Sequence, residues 1–282
     1  MSIARFLAPC LGAAILSTAP AAAAQDRPPT AQLGDFFGIR TVEVAIGGRD
    51  HTFLLDTGGG VTTISPALAE AVGCTPWSQI NGFRMGGERL SMPRCDDVPI
   101  EIAGQALTVP SAGVFDLSPL LPPASQKFEG LVALDVLAAR PFTLELASGR
   151  LTFETPESLA RRTASAVQIP IRFHRQGGGI ALTVMARATT GQGALWLQLD
   201  SGSDAGIQVA TASAEPLGLN REPGGQDVTL SLTGTGGETI IETARGRVRD
   251  MIIDGNVGAP VLSRWVMTFD LANQKLWVQD AS

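Results

Sequence analysis

Apolar and polar residues alternate along most of the chain in short runs closed by glycine, proline, asparagine or aspartate, the signature of strands and tight turns. Thr41-Val42-Glu43-Val44-Ala45-Ile46 alternates, Gly47-Gly48-Arg49-Asp50 turns the chain, and His51 to Leu55 returns; the pattern predicts a hairpin that delivers Asp56. Val61 to Ser65 predicts another short strand. Ser65-Pro66 to Val72 predicts a helix, with Ser65 as N-cap, proline in the first turn and Gly73 as the stop. Trp77 to Val109 reads as short strands and turns, with a glycine-rich hairpin tip between Asn81 and Leu90. Ser111 to Gln126 reads as a loop around a short turn. Gly130 to Leu137 and Pro141 to Phe153 predict a buried strand, a turn of helix and a closing hairpin.

The pattern then starts again. Ile180 to Met185 and Leu195 to Leu199 predict a second hairpin, ending at Asp200, and Ile207-Gln208-Val209 repeats the short strand. Thr211 to Leu217 repeats the helix, though Pro216 would end it. The duplication is clearest over Gly130 to Phe153 and Gly255 to Val278, which align without a gap at an offset of 125. Gly130/Gly255, Val132/Val257, Val136/Val261, Leu137/Leu262, Thr143/Thr268, Leu146/Leu271, Ala147/Ala272 and Leu151/Leu276 are identical across it. The two aspartates lie 144 residues apart, so the first half carries 19 extra residues, where the Gly-rich hairpin and the Pro-rich loop fall.

Composition narrows the class. The 282 residues hold 32 Gly and 18 Pro at 44% hydrophobic content, which favours many short strands over long helices. A net charge of −6, spread along the chain, argues against nucleic acid or an anionic membrane surface as partner. Met1 to Ala24 has one early positive charge, an apolar run too short to span a bilayer, and an Ala-x-Ala site before Gln25. It reads as a cleaved signal peptide, which predicts a periplasmic or secreted protein with no membrane span. An oxidising compartment makes Cys74 and Cys95 candidates for a disulfide, either paired or both free. If paired, they close a loop worth roughly 3 kcal/mol. The expected organisation is a signal peptide (1–24), a flexible lead-in (25–34), an N-terminal lobe with Asp56 (35–155), a linker (156–166) and a C-terminal lobe with Asp200 (167–282).

Candidate chemistry sits at the ends of the two predicted hairpins. Leu54-Leu55-Asp56-Thr57-Gly58 and Gln198-Leu199-Asp200-Ser201-Gly202 each run from apolar strand into an aspartate, a small hydroxyl residue and glycine. A carboxylate at a strand end, on a turn that glycine permits, is presented rigidly. Two such turns facing each other would build a paired-carboxylate site. With these motifs and matching downstream blocks, residues 35 to 280 resemble the pepsin/retropepsin aspartic protease superfamily, and more narrowly exported bacterial retropepsin-like proteins with two motifs on one chain. The resemblance implies an all-β acid protease fold of two homologous β-barrel-like lobes with a cleft between them and a few short helices. It implies that Asp56 and Asp200 are the catalytic pair of an endopeptidase that takes extended peptide or protein substrates. It implies further that Thr57 and Ser201 bond across the interface while Gly58 and Gly202 give the tight turns. No cofactor is implied, and both motifs on one chain make a monomer sufficient.

Departures from the family pattern carry their own expectations. Gly59 and Ser203 follow the two motif glycines. Ser203 is expected to bond Asp200 and favour its charge, and Gly59 to offer nothing to Asp56, so that Asp56 keeps the shared proton. The chain has no tyrosine for a flap, and Phe83 in the Gly-rich hairpin is the candidate flap residue, with an ordinary core position as the other reading. His51 and His174, the only histidines, read as structural, and no metal-ligand spacing appears. Asp135, Asp204, Asp254 and Asp270 read as loop or cap residues. The rival function is a catalytically inactive protease-like module that binds extended peptides or a partner protein in the same cleft.

Overall fold

A computed structural model of the chain describes residues 27–123, 126–222 and 224–281, so the expected signal peptide lies outside the described residues. Strands form three sheets, one in each lobe and one shared between them. In the N-terminal lobe, Arg49–Leu55 lies between antiparallel Ile39–Ile46 and parallel Gly130–Val132. The sheet continues through Thr63–Ile64, Gln105–Val114, Arg89–Ile102 and Trp77–Phe83, and Ala45 pairs with Glu101 to bring it back on itself. The C-terminal lobe repeats the arrangement. Gly193–Asp200 lies between antiparallel Ala181–Thr190 and parallel Gly255–Gly258, followed by Ile207–Ala210, Thr239–Arg249 and Gly225–Thr233. Phe53 and Leu55, and likewise Leu197 and Leu199, are two residues apart and so share the face of the strand turned to the core, where they are almost fully inaccessible.

The third sheet joins the lobes. Phe142–Glu145 pairs antiparallel with Trp265–Asp270, and Thr143 falls opposite Thr268. These two threonines occupy equivalent positions of the repeat, so the pseudo-twofold axis passes between them. Their hydroxyls lie 2.9 Å apart, and Phe142 stacks on Phe269 with ring centroids 4.8 Å apart. The joint is apolar and fully buried through Phe142, Leu144, Trp265, Met267 and Phe269, so the lobes share one core.

Several local expectations meet the coordinates closely. The helix runs Pro66–Ala71 with Ser65 capping Leu68 N, and Gly73 follows at φ +74°. Others change. Thr30–Gln32, read as lead-in, pairs with Arg150–Phe153, because the edge of the shared sheet offers free backbone groups there. Residues 156–166, read as linker, begin with a helix, Pro156–Thr163, capped by Thr155 and its reciprocal bond with Ser158. Among the short strands expected before Val109 is one of 14 residues, Arg89–Ile102, which pairs with Trp77–Phe83 over its first part and with Gln105–Val114 from Arg94 onward. A disulfide joins Cys74, just after the first helix, to Cys95 within that long strand, with Cα atoms 6.1 Å apart.

Candidate active site

Each aspartate is the product of its strand. The backbone N–H of Asp56 donates to Val132 O at 2.9 Å, so the parallel neighbour holds the chain to the residue where it turns. Gly58 N then donates to Asp56 Oδ1 at 2.8 Å, and Gly202 N donates to Asp200 Oδ1 at 3.0 Å. The two turns are copies of each other, and they interlock. Thr57 N donates to Ser201 Oγ at 3.0 Å while Ser201 N donates to Thr57 Oγ1 at 2.9 Å. The hydroxyls continue across the interface, Thr57 Oγ1 to Leu199 O at 2.7 Å and Ser201 Oγ to Leu55 O at 3.1 Å. Thr57 and Ser201 are almost wholly buried, so each of these four bonds acts in a low-dielectric setting.

The glycines answer to the opposite lobe. A Cβ on Gly202 would lie 2.5 Å from both carboxylate oxygens of Asp56, and one on Gly58 would lie 2.5 Å from Asp200 Oδ1. Each turn can therefore close only if the other lobe's aspartate has no side chain to meet. The result brings the two carboxyl groups into direct hydrogen-bond contact at the floor of a cavity of about 620 Å³. That volume suits a segment of peptide.

Electrostatics differ between the two acids. Burial pushes Asp56 up, against hydrogen bonds from Asp200 and from the N–H groups of Gly58, Gly59 and Gly202. Burial also pushes Asp200 well above the usual carboxylate range, and the charge of Asp56 and the proton shared with it push further in the same direction. Two adjacent carboxyls cannot both ionise easily, so the pair holds one proton. Gly58 N donates to Asp56, while Asp200 takes Gly202 N on one oxygen and Asn256 Nδ2 on the other, so the single proton belongs to the pair.

The side-chain partner of Asp200 differs from the one expected from the sequence. Ser203 Oγ accepts from Ala205 N at 3.3 Å and is not among the groups bonded to Asp200. The side-chain donor to Asp200 is Asn256, whose Nδ2 lies 3.0 Å from Oδ2. Gly59 N donates to the main-chain O of Asp56 at 3.3 Å and closes the turn. The reason is local: Ser203 Oγ closes its own turn, whereas Asn256 sits on the parallel strand beside the aspartate. Its signal was present in the sequence as a polar residue where the first half has Leu131.

Above the dyad, Trp77–Phe83 and Arg89–Ile102 form a hairpin with its tip at residues 84–88. Phe83 is the last residue before the tip, 55% exposed and facing the cavity, and so is a rim residue rather than core. The hairpin reaches the other lobe. Gln176 accepts from Phe83 N at 2.6 Å and donates to Phe83 O at 3.2 Å, and Ile252 N donates to Met85 O at 2.9 Å.

Asp135 is more than a cap. It accepts from Thr62 N at 2.9 Å, from Thr62 Oγ1 at 2.5 Å and from Val136 N at 2.9 Å, behind the first motif. Burial raises its pKa to about 6 against those bonds. Asp254 holds Trp196 N, and Asp270 caps the turn at Asn273. His174 lines the cleft near Gln176, and His51 stands opposite Val44 in the first hairpin. Among the described residues no group of three His, Cys, Asp or Glu side chains could hold a metal ion, and no helix is long and apolar enough to cross a membrane.

Residues 42–136 match a family model described as aspartyl protease. Among solved structures, the chain is similar to the crystal structure of Basic 7S globulin from soybean, with a TM-score of 0.58 over 91% of this chain and 95% of that one. At 11% identity this likeness is one of fold. No curated protein matches the sequence.

Proposed function

We propose that the chain is a pepsin-like aspartic endopeptidase cleaving extended peptide segments, a reading supported by the aspartyl protease match over residues 42–136 and by the shared fold. The observation that carries the proposal is the interlocked pair: half-buried Asp56 and buried Asp200 in contact, sharing one proton, at the floor of a peptide-sized cleft. A water bound between the carboxyls would lose a proton to the ionised one as its oxygen attacks the scissile carbonyl carbon. The protonated one would give its proton to the carbonyl oxygen, forming a neutral tetrahedral gem-diol. Collapse of that species breaks the C–N bond, with one proton returned to the dyad and one delivered to the leaving amine. The products are a carboxyl and an amine, and the dyad ends as it began.

Both carboxylates come from one chain, which supports action as a monomer. The Cys74–Cys95 disulfide and the apolar leader support export to the periplasm or beyond. The negative net charge supports a protein or peptide substrate over nucleic acid.

The test incubates the purified protein with an unfolded protein substrate across about pH 3 to 7, beside Asp56→Asn, Asp200→Asn and a statine-type inhibitor. Cleavage that both substitutions and the inhibitor abolish is expected. Intact substrate throughout, with the protein folded, would favour the peptide-binding alternative.

A further inference from the structure

The two halves of the cleft are built on the same strands but floored by different chemistry. Registered neighbours in a sheet point to the same face. In the N-terminal lobe Leu131 stands beside Leu54 on one side and Thr63 on the other. In the C-terminal lobe Asn256, at the equivalent position of the repeat, stands beside Gln198 and Gln208. A largely apolar row in one lobe is thus a row of three carboxamides in the other. Gln198 and Gln208 line the cavity at 7% and 6% exposure, and Asn256 is fully buried beneath Asp200.

The carboxamides have unspent hydrogen-bonding capacity. Gln198 Nε2 donates to Gly58 O of the other lobe at 3.4 Å. Arg249, also on the cavity wall, donates to Gln208 Oε1 at 3.1 Å, which commits the oxygen and leaves the Nε2 donors of Gln208 available. Asn256 Oδ1 is buried with no hydrogen-bond partner among the described residues. Arg249 makes no ion pair among the described residues, so its remaining N–H groups are also unspent. Buried polar rows of this kind are costly unless something bonds to them. The opposite wall, with Leu54, Phe115, Leu117 and Leu131, is apolar there except for Thr63, whose Oγ1 is buried without a partner among the described residues.

An extended peptide projects successive side chains to opposite faces. With the pseudo-twofold axis running between the lobes, the side chains flanking the bond over the dyad meet different lobes. Resting on the protease reading above, we infer that the preferred bond joins an apolar residue to one whose side chain ends in an oxygen acceptor. The apolar side chain packs on Leu54 and Leu131, and the oxygen accepts from Gln208 Nε2 and Arg249. Carboxamide and carboxylate share that chemistry. Asp204 on the same wall and the single charge of the dyad oppose the carboxylate, and Arg249 favours it.

The test uses uncleavable statine-type peptides with Leu/Leu, Leu/Gln and Leu/Glu flanks in both orders, titrated calorimetrically into the protein. At least one order with Gln or Glu is expected to bind about tenfold or more tightly than Leu/Leu. Gln208→Thr, which copies the N-terminal lobe, should collapse that preference. Arg249→Met, at an exposed position that leaves the fold intact, should remove any advantage of Glu over Gln. Leu/Leu binding as well as either polar pair, or a ranking unchanged in both variants, would overturn the inference, as would no binding by any peptide. The same flanks around an ordinary peptide bond separate the two readings. Cleavage without preference removes this inference and leaves the protease, while selective binding without cleavage does the reverse.

Discussion

The loop around Asp56 and the loop around Asp200 are nearly superposable in their bonds, yet the strands beneath them diverge. Thr57 and Ser201 exchange backbone and hydroxyl bonds as reciprocal partners, and Gly58 and Gly202 make room for each other's aspartate. One row away, the neighbours Leu54 and Leu131 of one lobe correspond to the neighbours Gln198 and Asn256 of the other. The difference shows which features of a duplicated fold are coupled across the axis. A residue whose partner is its own counterpart cannot change alone without leaving a buried group unpaired. A residue that faces only its own half of the cleft is free to diverge, and divergence there makes the two carboxyls unequal.

The largest expected effect comes from breaking the coupled part. Asp56→Asn or Asp200→Asn should lower peptide hydrolysis by about 10³-fold or more while leaving the circular dichroism unchanged. The two variants should be equally severe, since both carboxyls act on one water. Next comes the interlock. Thr57→Val removes the acceptor of Ser201 N and the donor to Leu199 O, and should cost about 2–4 kcal/mol in urea unfolding. Thr57→Ser should recover most of that.

The second lobe-specific feature is Asp135, whose counterpart in the repeat is Pro260. With its pKa raised by burial to about 6, folded Asp135 keeps its proton where the unfolded chain has lost it. The stability it contributes is present in full below about pH 4 and is lost as pH rises through about 6, by at most about 3 kcal/mol. Urea unfolding at pH 4 and pH 7 should show the gap between wild type and Asp135→Asn narrowing at the higher pH.

The smallest effect sharpens the comparison most. Asn256→Leu gives the C-terminal lobe the residue of its partner and removes a donor from Asp200. Loss of a bond to the charged form raises the pKa of Asp200, so the alkaline limb of the pH–rate profile should move to higher pH with the acid limb little changed. Ser203→Ala should leave both limbs in place, because Ser203 bonds its own turn.

Much of this was legible in the chain itself. The duplicated motif, the eight identities between residues 130–153 and 255–278, and the capped helix at Ser65 are local or periodic signals that survive reading by eye. The reach of Gln176 to Phe83 and the pinning of Thr62 by Asp135 left no such mark, and the bond from Asn256 to Asp200 left only a polar residue where the first half has Leu131. Each joins residues far apart in the chain. The strand at Thr30–Gln32 escaped for a related reason: a three-residue edge strand is stabilised by the sheet it joins and not by its own alternation.

What the sequence by itself determined is the class of fold, its repeated strand-and-turn pattern and the pair of aspartate motifs, because alternation, turn residues and motifs act within a few residues of one another. What only the tertiary structure decided is that the two carboxyls meet and share a proton, and how the two walls of the cleft differ. Those follow from desolvation and from donors delivered by neighbouring strands, and both depend on which distant residues the sheets place side by side.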